Sequence, residues 1–173
     1  FLYLASILIY LVFYLVLLKI ISAPFNDKLS EKVESIINGT PFEDSDLPSL
    51  MASIKITAVT EGQRLLLFLV IFVPLLILSF IIPGIGQTIF GFLITVYVCF
   101  WLTYDGMSYS FDRRELNLKS RFQFLIKHPL NTFGFGFGVY TLTLIPIINS
   151  FIIPLFVVGG TIMLKDLEAI DQE

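Results

Sequence analysis

Three uninterrupted apolar stretches, separated by two mixed segments, organise this chain of 173 residues. No Asp, Glu, Lys or Arg occurs in Phe1 to Leu18, in Leu65 to Tyr104 or in Pro129 to Leu164, runs of 18, 40 and 36 residues. A helix that crosses a bilayer needs about 20 apolar residues, so the first run fits one crossing and each of the others has the length of two. A continuous helix over the 40-residue run would be about 60 Å long, roughly twice the hydrocarbon thickness, and must therefore fold back on itself.

The reversals are written into both long runs. Pro83-Gly84-Ile85-Gly86-Gln87 removes a backbone donor at Pro83 and supplies two glycines that tolerate positive φ, as a tight turn between helices requires. Near the middle of the third run, Ile145-Pro146-Ile147-Ile148-Asn149-Ser150 repeats the design with Asn as the turn former. Each hairpin arm is then about 17 or 18 residues, roughly 26 Å, with Pro74 interrupting one arm and Gly134, Gly136 and Gly138 weakening another. Arms of this length either barely cross or turn inside the bilayer, where irregular backbone is tolerated only when buried in protein or facing water.

The mixed segments carry helical periodicity. Leu29, Val33, Ile36 and Ile37 recur at i, i+4, i+7 and i+8 behind a cap at Asn26 or Asp27, and Gly39-Thr40-Pro41 ends the pattern. Leu118, Phe122, Leu125 and Ile126 repeat the spacing among Lys119, Arg121 and Lys127, and His128-Pro129 closes it. These predict amphipathic helices lying on the membrane surface or packed under the hairpins. The acidic stretch with Glu43, Asp44 and Asp46 reads as an exposed loop.

Composition agrees: 56% of residues are hydrophobic, 18 are Phe and 14% are charged, with a mean hydropathy of +0.87, which excludes an ordinary soluble mixture. The net charge of -3 and the lack of a basic stripe argue against nucleic acid. All eleven Lys and Arg fall outside the apolar runs, and neither hairpin tip has one. If the first segment crosses once and both hairpins return to their starting side, the charged loops and the C-terminus share one face, which the positive-inside tendency makes cytoplasmic. The chain opens at Phe1 inside an apolar segment without a basic lead-in, so it reads as a fragment lacking its N-terminal part.

Little in the chain has catalytic form. There is one His and one Cys, with no phosphate-binding loop, zinc-protease motif or nucleophile elbow, so neither an enzyme, a metal nor a cofactor is expected. Cys99 reads as a packing residue and His128 as an interfacial one. Gly134-x-Gly136-x-Gly138 reads as close helix packing, because it is embedded in an apolar segment instead of following a strand. Glu61-Gly62-Gln63-Arg64 is more informative. Glu61 and Arg64 face one another at i, i+3 where the polar segment enters the membrane. They are either a snorkelling boundary pair or the charged lining of a pathway mouth.

The order of features resembles the CysZ sulfate permease family. The matching residues are Ala23-Pro24-Phe25-Asn26-Asp27 with Leu29 and Glu34, Glu61-x-Gln63-Arg64, Ile82-Pro83-Gly84-Ile85-Gly86-Gln87-Thr88, Tyr109-x-Phe111-Asp112, Phe133-Gly134, and Ile145-Pro146-Ile147-Ile148-Asn149 with Pro154 and Gly159. Two places depart from the family: Tyr104-Asp105-Gly106-Met107 stands for its Asp-Tyr-Pro, and Gly159-Gly160-Thr161 for its Gly-Ala-Thr. The resemblance implies two full membrane helices, the first lying upstream together with a sulfate-associated Gly-Leu-Arg segment, and two hairpins that penetrate only partway. It further implies a homo-oligomer in the bacterial inner membrane that imports sulfate for cysteine biosynthesis.

The expected fold is thus an all-α integral membrane domain over 1–173, with one full transmembrane helix (1–22) and two partly penetrating hairpins (65–104 and 129–164). A cytoplasmic helical segment (23–64), a loop and amphipathic helix (105–128) and a tail (165–173) complete it. The expected function is passage of sulfate or a related oxyanion, and the rival is a non-transporting membrane scaffold. Candidate pathway residues are Glu61 and Arg64, with Asn26, Arg113 and Arg114. The tips are shaped by Pro83, Gly84, Gly86, Gln87, Pro146 and Asn149.

Overall fold

A computed structural model describes residues 2–42, 50–82, 84–145, 148 and 151–171. Within them the chain is helical: α1 (Leu2–Asn38), α2 (Leu50–Ile81), α3 (Ile85–Arg113), α4 (Leu118–Lys127), α5 (Pro129–Thr143) and α6 (Ile152–Ile170). Pro83, Pro146 and Asn149, three of the expected tip residues, and the acidic stretch at 43–48 lie outside the described residues.

The first reversal falls where Pro-Gly predicted it, but only one of its glycines works as expected. Gly84 caps α3 with φ 79°, and its carbonyl accepts the Gln87 N–H at 3.1 Å. Gly86 is already helical and buried; a Cβ there would overlap the Ile82 side chain, so its smallness serves close approach and not turn geometry. From this turn α2 and α3 run back against each other. Phe68 stacks on Phe72 at 4.9 Å and on Tyr97 at 5.5 Å, Trp101 tilts over it at 5.3 Å, and the Tyr97 hydroxyl donates to the Phe68 carbonyl at 3.1 Å. Val59–Ile81 and Ile85–Arg113, 23 and 29 residues, are each long and apolar enough to cross a membrane. Leu66, Val70, Phe80, Ile81, Ile85 and Phe92 are more than 60% exposed; apolar surface on this scale needs a non-aqueous neighbour.

The second hairpin is held to α3 through backbone. Gly136 sits so close to α3 that a Cβ would overlap the Cys99 carbonyl, and a Cβ on Gly160 of α6 would come within 2.6 Å of the Gly106 carbonyl. Of the three spaced glycines in α5, only Gly136 makes such an approach; Gly134 and Gly138 face open space. Thr103 donates to the Thr132 carbonyl at 2.6 Å and Thr132 to the Leu125 carbonyl at 2.8 Å, tying α3, α4 and α5 together where the chain turns.

Two sequence expectations change. The helix predicted to start afresh at Asn26 or Asp27 is continuous with the apolar segment, because α1 runs unbroken through Pro24 to Asn38. No cap is needed, since the helix does not begin there, and the residues beyond are fastened to α3 and α6. They are fastened by the polar face: Ala23, Asn26 and Ser30 are buried, whereas Ile36 and Ile37 of the apolar stripe are 71% and 46% exposed. Likewise α3 continues past the apolar run, so Asp105 lies inside it, Arg113 is its last residue, and Arg114 caps it.

Gly39, at φ 65°, ends α1, and the Thr40 N–H reaches the Ser35 carbonyl at 3.0 Å, a left-handed cap of the kind glycine favours. The end of α3 has the same hydrogen bonding with Glu115 at φ 51°: Leu116 N–H to Phe111 carbonyl at 3.2 Å and Glu115 N–H to Asp112 carbonyl at 3.0 Å. That cap turns the chain sharply into α4, which Asn117 opens by accepting the Ser120 N–H at 2.9 Å. A cluster of buried apolar side chains, Tyr104, Met107, Phe111, Leu125, Leu164 and Leu167, collects here, at the polar end of the bundle.

Candidate functional site

Among the charged residues at that polar end, two networks hold the expected site residues. The first spans α2, α3 and α4. Glu61 and Arg64 lie one turn apart on α2, each 7% exposed, and Arg64 Nη1 donates to Glu61 Oε1 at 2.7 Å. Arg64 Nη2 pairs with Asp112 Oδ2 in the last turn of α3. The other oxygen of Asp112 takes Arg121 Nη1 at 2.7 Å, so one carboxylate bridges two guanidiniums from different helices.

Arg121 is held independently as well. Its Nε donates to the Leu116 carbonyl at 2.7 Å, and its guanidinium lies 5.9 Å from the Phe111 ring centroid, a cation–π arrangement. A cleft of about 230 Å³ opens beside these groups, lined by Thr60, Gln63 and Arg64 of α2, Tyr104 and Asp112 of α3, and Arg121 of α4 among others. Arg64 Nε and the Tyr104 hydroxyl, both on residues lining it, are buried without a hydrogen-bond partner among the described residues. Buried donors of this kind are costly unless something accepts from them. The cleft therefore offers fixed positive charge from two helices, the chemistry that receives an oxyanion.

The second network joins α1, α3 and α6. Arg113 reaches Asp27 at 2.6 Å and Glu34 at 3.3 Å, and donates to Ser30 Oγ at 2.7 Å. Arg114 bridges Glu34 at 2.9 Å and Glu168 at 2.7 Å. Burial pushes the Glu34 carboxyl up, but Arg113 and Arg114 outweigh it and hold the group below its ordinary range. Beneath them Ser30, Ser110 and Thr161 hydroxyls share hydrogen bonds of 2.7 and 3.0 Å. Asn26 donates to the Tyr109 hydroxyl at 3.4 Å, and Lys19 pairs with Asp105 at 2.7 Å.

The structure thus divides the expected site residues. Glu61 and Arg64 stand together at the cleft; Asn26, Arg113 and Arg114 belong to the helix-fastening networks beside it. Gly84, Gly86 and Gln87 sit at the opposite end of the first hairpin, about 26 Å along α2 from Arg64 at 1.5 Å per residue. Sequence reasoning gave no role to Asp112, Arg121 or Tyr104. For Arg121 a signal existed: it lies four residues before Leu125, one turn away on the same face of α4, and these two are the buried residues of that helix.

A family profile described as sulfate transporter CysZ/etoposide-induced protein 2.4 matches residues 1–154. The chain belongs to this family. Its curated relatives include two proteins named sulfate transporter CysZ. The one from Pectobacterium atrosepticum is 33% identical over 141 residues, 82% of this chain and 51% of that protein. The one from Salmonella typhimurium is 32% identical over 160 residues, 92% of this chain and 63% of that protein. The chain therefore spans about half to two thirds of the length of these CysZ relatives. Family membership, the helical fold and the two helices able to cross a membrane together make it a membrane protein of the CysZ/etoposide-induced type.

Proposed function

We propose that this chain is the larger part of a sulfate permease, conducting the dianion across the bacterial inner membrane to supply cysteine biosynthesis, and that sulfate meets the protein at the Arg64–Arg121 cleft. The carrying observation is a pair of buried guanidiniums, Arg64 and Arg121, brought from two helices to one cleft. The names of the relatives support sulfate as the cargo. Both hairpins enter from the cytoplasmic face, where the charged end of the bundle and the C-terminus lie. The second stops short of the far side, in keeping with α5, whose 15 residues extend only about 22 Å. Copies of the protein assemble into a homo-oligomer, as the few helices of this chain lead one to expect.

The test is sulfate uptake into proteoliposomes made with the full-length protein. Uptake above empty vesicles is expected, falling roughly tenfold or more in Arg64→Ala, since charge-assisted hydrogen bonds to a buried ion are worth that much. Folded protein without uptake would overturn transport in favour of a scaffold. Unchanged flux in Arg64→Ala would remove the cleft from the pathway.

A further inference from the structure

We infer that Asp112 is a tethered anion that occupies the cleft when it is empty, must be displaced by the transported oxyanion, and thereby selects dianions over monoanions. This rests on the reading of the cleft as the sulfate site. Three features of the geometry carry it.

First, Asp112 is the most exposed member of its network. Its side chain is 39% exposed, against 7% for Arg64 and 11% for Arg121. Both arginines keep an anchor when it leaves: Arg64 keeps Glu61 at 2.7 Å, and Arg121 keeps the Leu116 carbonyl at 2.7 Å and the Phe111 ring. The binding geometry therefore persists without the carboxylate.

Second, a carboxylate fills the cleft incompletely. Its two oxygens satisfy Arg64 Nη2 and Arg121 Nη1, leaving Arg64 Nε and the Tyr104 hydroxyl without an acceptor. A tetrahedral oxyanion has four oxygens, so two take the same guanidinium donors and two are left for donors the carboxylate does not serve.

Third, the charges discriminate. Arg64 and Arg121 line the cleft, and Glu61, paired with Arg64, offsets one of their two positive charges. A monoanion replacing Asp112 exchanges like charge for like, against a competitor whose attachment to α3 gives it a high effective concentration. A dianion brings twice the charge to the same partners, and so gains a Coulomb energy from the exchange that a monoanion does not, set against its larger desolvation cost.

The experiment is calorimetric titration of the purified full-length protein with sodium sulfate and with sodium nitrate, on the native sequence and on Asp112→Asn, Asp112→Glu and Arg64→Ala. The native protein binds sulfate and rejects nitrate. Asp112→Asn, which removes the competitor's charge, raises nitrate affinity roughly tenfold or more and narrows the sulfate-to-nitrate ratio. Asp112→Glu restores the ratio. An unchanged ratio in folded Asp112→Asn, with sulfate binding lost in Arg64→Ala, overturns the inference and leaves the site standing. Undiminished sulfate binding in Arg64→Ala overturns the site itself. Infrared difference spectra of native protein with 13C-labelled aspartate test displacement without any substitution. Sulfate, and not nitrate, shifts a labelled carboxylate band as Asp112 leaves the arginines; saturating sulfate without such a shift overturns the inference equally.

Discussion

The two hairpins look alike in sequence, each an apolar run broken by a proline-containing tip, yet they are packed by opposite means. Between α2 and α3 the seam is aromatic: Phe68, Phe72, Tyr97 and Trp101 lie ring against ring, centroids 4.9 to 6.2 Å apart. Against α3 the second hairpin is packed by absence of side chain, at Gly136 and at the Gly106–Gly160 crossing. The difference matters in a bilayer, where lipid tails are as apolar as leucine and burying a hydrocarbon side chain gains little, so backbone proximity and polar contacts carry helix association. The glycine seam is consequently brittle and the aromatic seam compliant.

The largest expected effect breaks the brittle seam. Gly136→Leu puts a side chain where the Cys99 carbonyl already stands, and neither backbone can yield without moving α5; a loss on the order of 3 kcal/mol is expected. It is read as a fall in the melting temperature of the full-length protein in detergent. Gly138→Ala, in open space on the same helix, separates the seam from helix propensity, and stabilises by about 0.5 kcal/mol. Equal losses in the two variants would show that the close approach is not what holds the hairpin.

On the aromatic side the loss is smaller. Phe68→Ala removes three ring contacts but leaves a gap that Leu67, Trp101 or lipid can fill, so only the directional ring energy is lost, roughly 1–2 kcal/mol. The same melting measurement ranks it below Gly136→Leu; the reverse order would invert the comparison.

Smaller still is the contribution of the ions that fasten α6 and α1 to the end of α3, because they are partly solvated. Glu34 bridges Arg113 and Arg114, and its carboxyl sits below its ordinary value of 4.5. A depressed carboxyl stabilises the fold above that ordinary value and ceases to do so as pH falls through its folded value. Glu34→Gln should therefore melt below the native protein at pH 7 and converge with it only as pH falls through the folded value of the Glu34 carboxyl, which lies below the ordinary one. A gap that persists in acid would assign the effect to packing.

What could be read from the sequence were the local features. The Gly84 turn, the end of α1 at Gly39 and the Glu61–Arg64 pair each depend on residues within a few positions, and spacing alone places them. The orientation of α1 beyond Pro24 could not be read in that way. An apolar stripe at Leu29, Val33, Ile36 and Ile37 turns inward when the surroundings are water, but here the inward face is chosen by Asn26, Ser30 and Glu34, whose partners Tyr109, Ser110, Arg113 and Arg114 lie some 80 residues away. Asp112 escaped for the same reason: its importance comes from two arginines on other helices. The likeness of the two hairpin tips was visible, whereas the glycine that docks α5 was indistinguishable from its neighbours Gly134 and Gly138 until α3 was placed beside it.

The smallest effect concerns the turn that brings α4 under the first hairpin. Glu115 occupies the left-handed position that Gly39 fills at the end of α1, with φ 51° against 65°, and the two caps share one hydrogen-bond pattern. A side chain there crowds its own backbone, and glycine does not. Glu115→Gly is expected to stabilise the protein by about 0.5 kcal/mol, the conformational relief being partly offset by the greater freedom of glycine in the unfolded chain. Because the turn sets the distance between Asp112 and Arg121, and both stay in place, sulfate flux should not change. A lower melting temperature would mean that the Glu115 side chain does something for this turn beyond filling the position. Lost flux with a higher melting temperature would mean that the stiffness of the turn, and not only its path, is part of how the cleft holds its arginines.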